Sequence, residues 1–314
     1  MLRYRSMNSH RCPSIPQGER LSVQFAKLFL RKLLEPTKMD VALIITTYNW
    51  PEALRVTLRS VLRQTRLPDE VVIADDGSDT RTAETVQRLL KPSSVEWRHA
   101  WHPDRGIRQA RIKNLGVRYS TGEYLVFIDH DVVLHPEFIA DHLTHCRKGL
   151  FLQGKRCFLP QGYSFKLLRD GSVEPPSPFQ RGIENRKNAF RIPRIGRLLF
   201  KPKRFQRTLR GCNLSMSRED FLKVDGYDET FDQLWGREDS DICYRLFHNG
   251  IRVRNLWFSA LQYHLYHTII KKNEEDRLDR ELRLVIEQKR KRALEGFSKL
   301  SSEGEVIGAY DRSS

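Results

Sequence analysis

Strand-length apolar runs alternating with helical stretches dominate the first half of this 314-residue chain. The runs at 41–47 (VALIITT), 70–74, 95–101 and 124–128 are separated by helical patterns at 51–64, 82–90 and 105–119. Pro51 suits the first turn of the first helix, where its missing N–H costs nothing, and Leu54, Leu58, Val61 and Leu62 share one face. Parallel strands need crossovers of this length, so the alternation predicts an α/β fold: a mostly parallel sheet covered on both faces by helices. The first, second and fourth runs end in polar residues, at 46–49, 75–79 and 129–131. Those ends share one edge, and such sheets bind ligands there.

The second half reads less regularly. Residues 161–210 are rich in Pro, Gly and Arg with weak periodicity, and read as a long mobile excursion. Order resumes with a short strand at 211–216, a helix at 218–224, a turn at 225–228 and a helix from 238 to 249 stopped by Gly250. Short strands near 252–256 and 260–264 precede a terminal helix at about 273–294. The expected organisation is one compact domain with helical extensions at both ends. Its parts are a basic amphipathic extension (1–39), a first half (40–160), the excursion (161–210), a second half (211–267) and a C-terminal helix and tail (268–314).

Composition narrows the class. With 39% hydrophobic and 30% charged residues the chain can bury an ordinary core. No window approaches the roughly 18 to 20 apolar residues of a membrane span. Five cysteines, odd in number and without a CxxC pair, argue for reduced thiols. The first residues, MLRYRSMNSHRCPS, lack a secretory pattern, so the expected location is the cytoplasm.

The formal charge of +16 is localised. Residues 1–39 hold eight basic and two acidic side chains; residues 181–210 hold eleven basic residues against Glu184 alone. Two basic segments on a balanced body suit anionic partners, and solvated tails are the bland alternative. In the first segment Phe25, Phe29, Leu30 and Leu33 interleave with Lys27, Arg31 and Lys32, a pattern that suits anionic lipid or packing on the body equally. The second lies between the two chemically richest motifs, so it can fold over a cleft and meet a phosphorylated ligand.

Three motifs carry chemistry. Asp129-His130-Asp131 leaves a buried strand with two carboxylates at i and i+2, which can hold a hard cation bridging phosphate oxygens; a solvated turn is the other reading. Leu234-Trp235-Gly236-Arg237-Glu238-Asp239-Ser240-Asp241 places four acids and a Trp at a helix start. They serve either as favourable charges on the helix dipole or as a general base beside an apolar platform for a sugar ring. In Tyr263-His264-Leu265-Tyr266-His267 an imidazole can complete a carboxylate site for manganese, or be structural.

Taken together, TTYNWPEAL, EVVIADDGSDT, GIRQARIKNLGV and GEYLVFIDHD resemble the nucleotide-sugar-binding half of the family 2 glycosyltransferases. GCNLSMSREDFLKVDGYDETF and LWGREDSDICYRL resemble the acceptor half shared by chondroitin-type synthases and beta-1,4-galactosyltransferases. The resemblance runs in order over about 41–267 and implies a GT-A fold, a UDP-sugar donor and Mn²⁺ or Mg²⁺. It implies that Thr46, Thr47, Tyr48 and Asp76 meet uracil and ribose, with Arg111, or Lys113 nearby, facing the nucleotide. It makes Asp131 the direct metal ligand, Asp129 a neighbour of ribose and metal, and His264 the metal-binding histidine, with His267 as rival. Asp239 matches the general base, Glu238 its acceptor-binding neighbour, and Trp235 lies against the donor. Arg237 and Ser240 depart from the galactosyltransferase pattern, so acceptor identity does not carry over. The QxxRW motif of processive synthases is missing.

The expected function is therefore inverting, metal-dependent addition of one sugar to a glycan or glycolipid in bacterial surface polysaccharide assembly, at the cytoplasmic face of an anionic membrane. The alternatives are a nucleic-acid-binding protein using 181–210, and a catalytically inactive glycan-binding module. Because the basic segment lacks regular aromatic interleaving, no nucleic acid is expected.

Overall fold

The computed structural model describes residues 39–207, 209–268 and 275–311; the amphipathic pattern within 1–39 lies outside them. The chain runs β1 (Val41–Thr47), α1 (Pro51–Val61), β2 (Glu70–Asp75), α2 (Thr80–Leu90), β3 (Glu96–Trp101), α3 (Gln109–Arg118) and β4 (Tyr124–Asp129). Then come β5 (Val132–Leu134), α4 (Phe138–His145), β6 (Leu150–Gln153), β7 (Arg156–Phe158), α5 (Gln161–Asp170), α6 (Pro193–Leu199), β8 (Asn213–Ser217) and α7 (Arg218–Lys223). Last are α8 (Glu238–His248), β9 (Arg252–Asn255), β10 (Gln262–His264), α9 (Glu275–Glu287) and β11 (Glu305–Tyr310).

Eight strands form one sheet in the order β11-β3-β2-β1-β4-β8-β6-β9. Its parallel heart is β3-β2-β1-β4, with Thr47 opposite Asp75 and Thr46 opposite Asp129. Every residue of β1 is buried, as a central strand covered on both faces demands. A second sheet, β5-β10-β7, pairs His264 with Val132. On one face of the large sheet Ile44, Val72 and Phe127 pack with Ile112, Phe221 and Leu246. Elsewhere Val133, Cys157 and Tyr263 close on Val56 and Leu167.

Several boundaries differ from expectation for identifiable reasons. The third helix starts at Gln109 rather than 105 because the backbone N–H groups of Gly106 and Arg108 donate to Asp104 and Asp76 instead. The span 161–210, read as an excursion, contains α5 and α6, and Lys203 pairs with Val253 at the β9 edge of the sheet. The C-terminal part is not an appendage. Leu278 and Val285 of α9 pack with Phe231, and β11 adds an antiparallel strand to β3. No helix among the described residues is long and apolar enough to cross a membrane.

Candidate active site

Strand pairing builds the cleft floor. Because β1 and β4 run in register, Thr46 Oγ1 lies 3.3 Å from Asp129 Oδ1 at the carboxyl edge. On the next strand end Asp76 is buried, with His102 Nε2 at 2.7 Å from one oxygen and the Arg108 N–H donating to the other at 3.0 Å. Thr47 Oγ1 is buried without a partner, and the half-exposed Tyr48 donates its hydroxyl to Asp104 at 2.9 Å.

Two residues beyond Asp129 the chain delivers Asp131, whose carbonyl accepts from Leu265 N–H at 2.8 Å and ties β4's exit to β10. That tie brings two imidazoles together. His264 Nε2 and His267 Nε2 lie 3.1 and 3.2 Å from Asp131 Oδ2, and one ligand atom from each of the three residues falls within 4.8 Å of the others. The ring nitrogens Nδ1 face the carbonyls of Leu265 at 2.7 Å and Thr268 at 3.3 Å. With Nδ1–H donated to a carbonyl, Nε2 is the nitrogen that can exchange its proton for a metal, the usual arrangement for histidine ligands. Asp131 Oδ1 is buried and unpartnered, a spare oxygen at the same point. One carboxylate and two imidazoles suit a borderline divalent cation such as Mn²⁺, so the residues fit the metal that the motif implies. Burial pushes the Asp131 carboxyl up, but hydrogen bonds from both histidines hold it well below the usual carboxylate range. Asp129 moves the other way, raised by burial and by Asp131, with Lys113 opposing.

The opposite wall is the start of α8. Glu238 and Asp239 occupy its first two positions, and Lys113, on α3, reaches both: 3.0 Å to Glu238 Oε1 and 2.9 Å to Asp239 Oδ1. The ammonium also lies 4.9 Å from the centre of the buried Tyr227 ring. Burial alone would lower the Lys113 pKa; the charges of Asp239 and Glu238 raise it well above the ordinary lysine value. Burial raises the Glu238 carboxyl, and Lys113 opposes that rise. The Asp239 side chain is 25% exposed against 9% for Glu238, so Asp239 is the more open to an incoming group. Its other oxygen accepts from Gly211 N–H at 3.0 Å. A Cβ at Gly211 would land on that carboxylate, which gives the glycine of GCNLS its reason.

Other residues of these motifs make their contacts away from the two acidic groups. Arg111 points away from Lys113, to Glu229, Ser301 and the carbonyl of Glu303 at 3.2, 2.8 and 2.8 Å. Lys113, the alternative, is the cation beside the acids. Asp241, one of the four acids, pairs with the fully buried Arg245, which donates to the carbonyls of Val224 and Gly226 and locks the turn. Asp232 accepts the N–H groups of Ala110 and Arg111 at 2.8 and 3.2 Å and so caps α3; burial pushes its carboxyl up to about 8 despite those amides. Trp235 is 60% exposed on a loop in which Gln233, Gly236 and Arg237 all have positive φ. The two non-glycine residues cost about 1–2 kcal/mol each in that conformation. The sequence leaves His264 and His267 as rivals, and the fold brings both imidazoles to Asp131. Their HxxH spacing after a strand was the available signal.

A parallel β3-β2-β1-β4 core, extended by antiparallel strands and carrying acids at its carboxyl edge, is the GT-A fold of glycosyltransferases. The family model for glycosyl transferase family 2 matches residues 42–191, and that for the N-terminal domain of galactosyltransferase matches 191–268. Together the two models span 42–268 and support a glycosyltransferase of the family 2 type with a galactosyltransferase-like C-terminal segment. Among curated relatives, chondroitin synthase of Escherichia coli is 27% identical over 259 residues, 76% of this chain and 36% of the relative. Validoxylamine A glucosyltransferase of Streptomyces hygroscopicus subsp. limoneus is 28% identical over 222 residues, covering 67% and 48%. The chain therefore spans between a third and a half of those relatives' lengths. Among solved structures, GalNAc-T7 with UDP, GalNAc and Mn²⁺ superposes with a TM-score of 0.54 at 17% identity, covering 79% of this chain and 48% of that one.

Proposed function

We propose that the chain transfers one sugar from a UDP-sugar to a hydroxyl of a glycan or glycolipid, with inversion and with the help of a divalent cation. The convergence of Asp131, His264 and His267 on one point carries this reading. A diphosphate leaving group needs neutralisation, and a bound Mn²⁺ or Mg²⁺ would supply it as a Lewis acid. Thr46, Thr47, Tyr48 and Asp76, along the neighbouring strand ends, would receive the nucleoside, with Asp129 between them and the metal. Asp239 would accept the proton of the acceptor hydroxyl as that oxygen attacks the anomeric carbon and the bond to UDP breaks on the opposite side. Lys113 and the Gly211 amide hold the base in one orientation, and Glu238 stands beside it for the acceptor. The exposed Trp235 offers the donor sugar an apolar face. The likeness to a bacterial chondroitin synthase supports a role in bacterial polysaccharide assembly, which we place at the cytoplasmic face of the membrane.

Isothermal calorimetry of UDP with and without Mn²⁺ tests the reading. Asp131→Ala should remove the Mn²⁺-dependent part of UDP affinity, and His264→Ala and His267→Ala should each raise the metal concentration required. Unchanged Mn-UDP affinity in Asp131→Ala would overturn the assignment.

A further inference from the structure

The segment 192–205 anchors Phe200 on Trp257 and Phe258 but presents four aliphatic side chains to solvent. Ile192 and Ile195 are each 42% exposed, Leu198 75% and Leu199 64%. On α6, positions 195, 198 and 199 follow the i, i+3, i+4 spacing of a single face, which ordinarily turns toward a core. Here the inward side of α6 is Gly196 instead, packed so closely on the Trp257 carbonyl that a Cβ would collide with it. Exposed apolar groups gathered on one face mark an interaction surface.

The segment is also held firmly. Ile192 N–H donates to the Phe258 carbonyl at 2.9 Å, and Arg254 donates to the Arg197 carbonyl at 3.1 Å. Lys203 exchanges two backbone hydrogen bonds with Val253 of β9, at 2.7 and 2.9 Å. The leucines therefore stand on a platform bolted to the edge of the main sheet.

The surroundings choose the partner. Arg194, Arg197, Lys201, Lys203 and Arg204 are all exposed along the same stretch, and no Asp or Glu occurs between 185 and 210. An apolar stripe flanked by cations that form no ion pair among the described residues matches a bilayer of anionic lipid, whose headgroups meet the charges while its acyl boundary receives the leucines. We propose that α6 and its basic flanks, 192–205, form a membrane-docking surface that inserts Ile195, Leu198 and Leu199 into an anionic leaflet. The same stretch runs on to Arg210 and Gly211, whose amide holds Asp239, so docking would bring the acceptor side of the cleft to the lipid surface. That purpose rests on the proposed transfer reaction; the docking itself does not.

Co-sedimentation of the full chain with vesicles of phosphatidylcholine, alone or with about a third phosphatidylglycerol, tests this independently of any transfer assay. Anionic vesicles should bind the wild type and neutral ones should not. Leu198→Glu with Leu199→Glu should weaken binding by at least about tenfold, without altering the circular dichroism spectrum. Replacing Arg194, Lys201 and Arg204 together by Ala should weaken it and flatten its salt dependence. As a check that does not rely on loss, Leu198→Trp should gain fluorescence quenching by lipids brominated on the acyl chain. Equal binding by the double-Glu variant, equal binding to neutral vesicles, or no added quenching of the Trp variant would overturn the proposal. So would self-association that the double-Glu change abolishes in a chain that ignores vesicles, since the stripe would then be a protein interface.

Discussion

Lys113→Met puts the acidic wall of the cleft to the sharpest test. The wild-type ammonium is buried and lies 3.0 and 2.9 Å from two adjacent carboxylates, so removing it leaves Glu238 and Asp239 facing each other unbridged. Taking one partner from a buried ion pair costs about 3–5 kcal/mol. For a chain of this size that lowers the melting temperature on the order of 10 °C. The pH dependence tells this loss from a simple packing defect. Unfolded, the Glu238 carboxyl titrates near about 4.3. Folded without the ammonium, Glu238 should titrate higher still, because burial already raises it with Lys113 opposing. A group whose folded pKa is raised contributes stability below its unfolded pKa and loses it as pH rises through the folded one. The deficit of the variant should therefore be small near pH 4 and grow as the pH rises from there to 8. Calorimetric melting of wild type and variant across that range reads it directly. A variant that melts with the wild type at pH 8, or a deficit that deepens on acidification, refutes the bridge.

Three further outcomes follow from the same geometry. Asp239→Asn should lower transfer by about 10²–10⁴ while leaving Mn-UDP affinity nearly intact, as initial rates and calorimetry can show; transfer within about tenfold of wild type would remove Asp239 from the role of base. Gly211→Ala should displace the Asp239 carboxylate and reduce kcat with little change in UDP affinity; wild-type kcat would mean that the amide contact is idle. Arg111→Leu should lower thermal stability by breaking the link from α3 to Glu229 and Glu303, and nucleotide affinity in the folded variant should be unchanged.

The parallel heart was legible because long runs such as VALIITT and YLVFID are buried on both faces and advertise it. Of the second sheet only β10, inside the strand expected at 260–264, was legible, and its pairing was not. That sheet's strands are three residues long, and β10 finds β5 and β7 across more than a hundred residues, so no local period exists to read. The choice between Arg111 and Lys113 was equally hidden. Positions two apart lie on nearly opposite sides of a helix, and eight consecutive residues of α3 are buried, leaving no polar face to orient it. The acidic motif at 238–241 mixed roles that only packing separates: Asp239 opens to the cleft, while Asp241 is spent on Arg245 four residues on.

The eight-stranded sheet also sets a schedule for the chain during synthesis. Strand β3 is complete at residue 101, but its outer neighbour β11 pairs Glu305 with Trp101 and arrives some two hundred residues later. At roughly 5–20 residues per second the nascent chain carries an open sheet edge for about 10–40 s. Unpaired edges recruit other strands, and charged side chains along them are the usual deterrent. β3 carries Glu96 and Arg98 among its aromatics, and Arg98 reaches both Glu70, on the strand already beside it, and Asp311, just past the strand still to come. The guanidinium that later helps fasten the closing strand is therefore in place from the start, keeping that edge unattractive to neighbours while it waits.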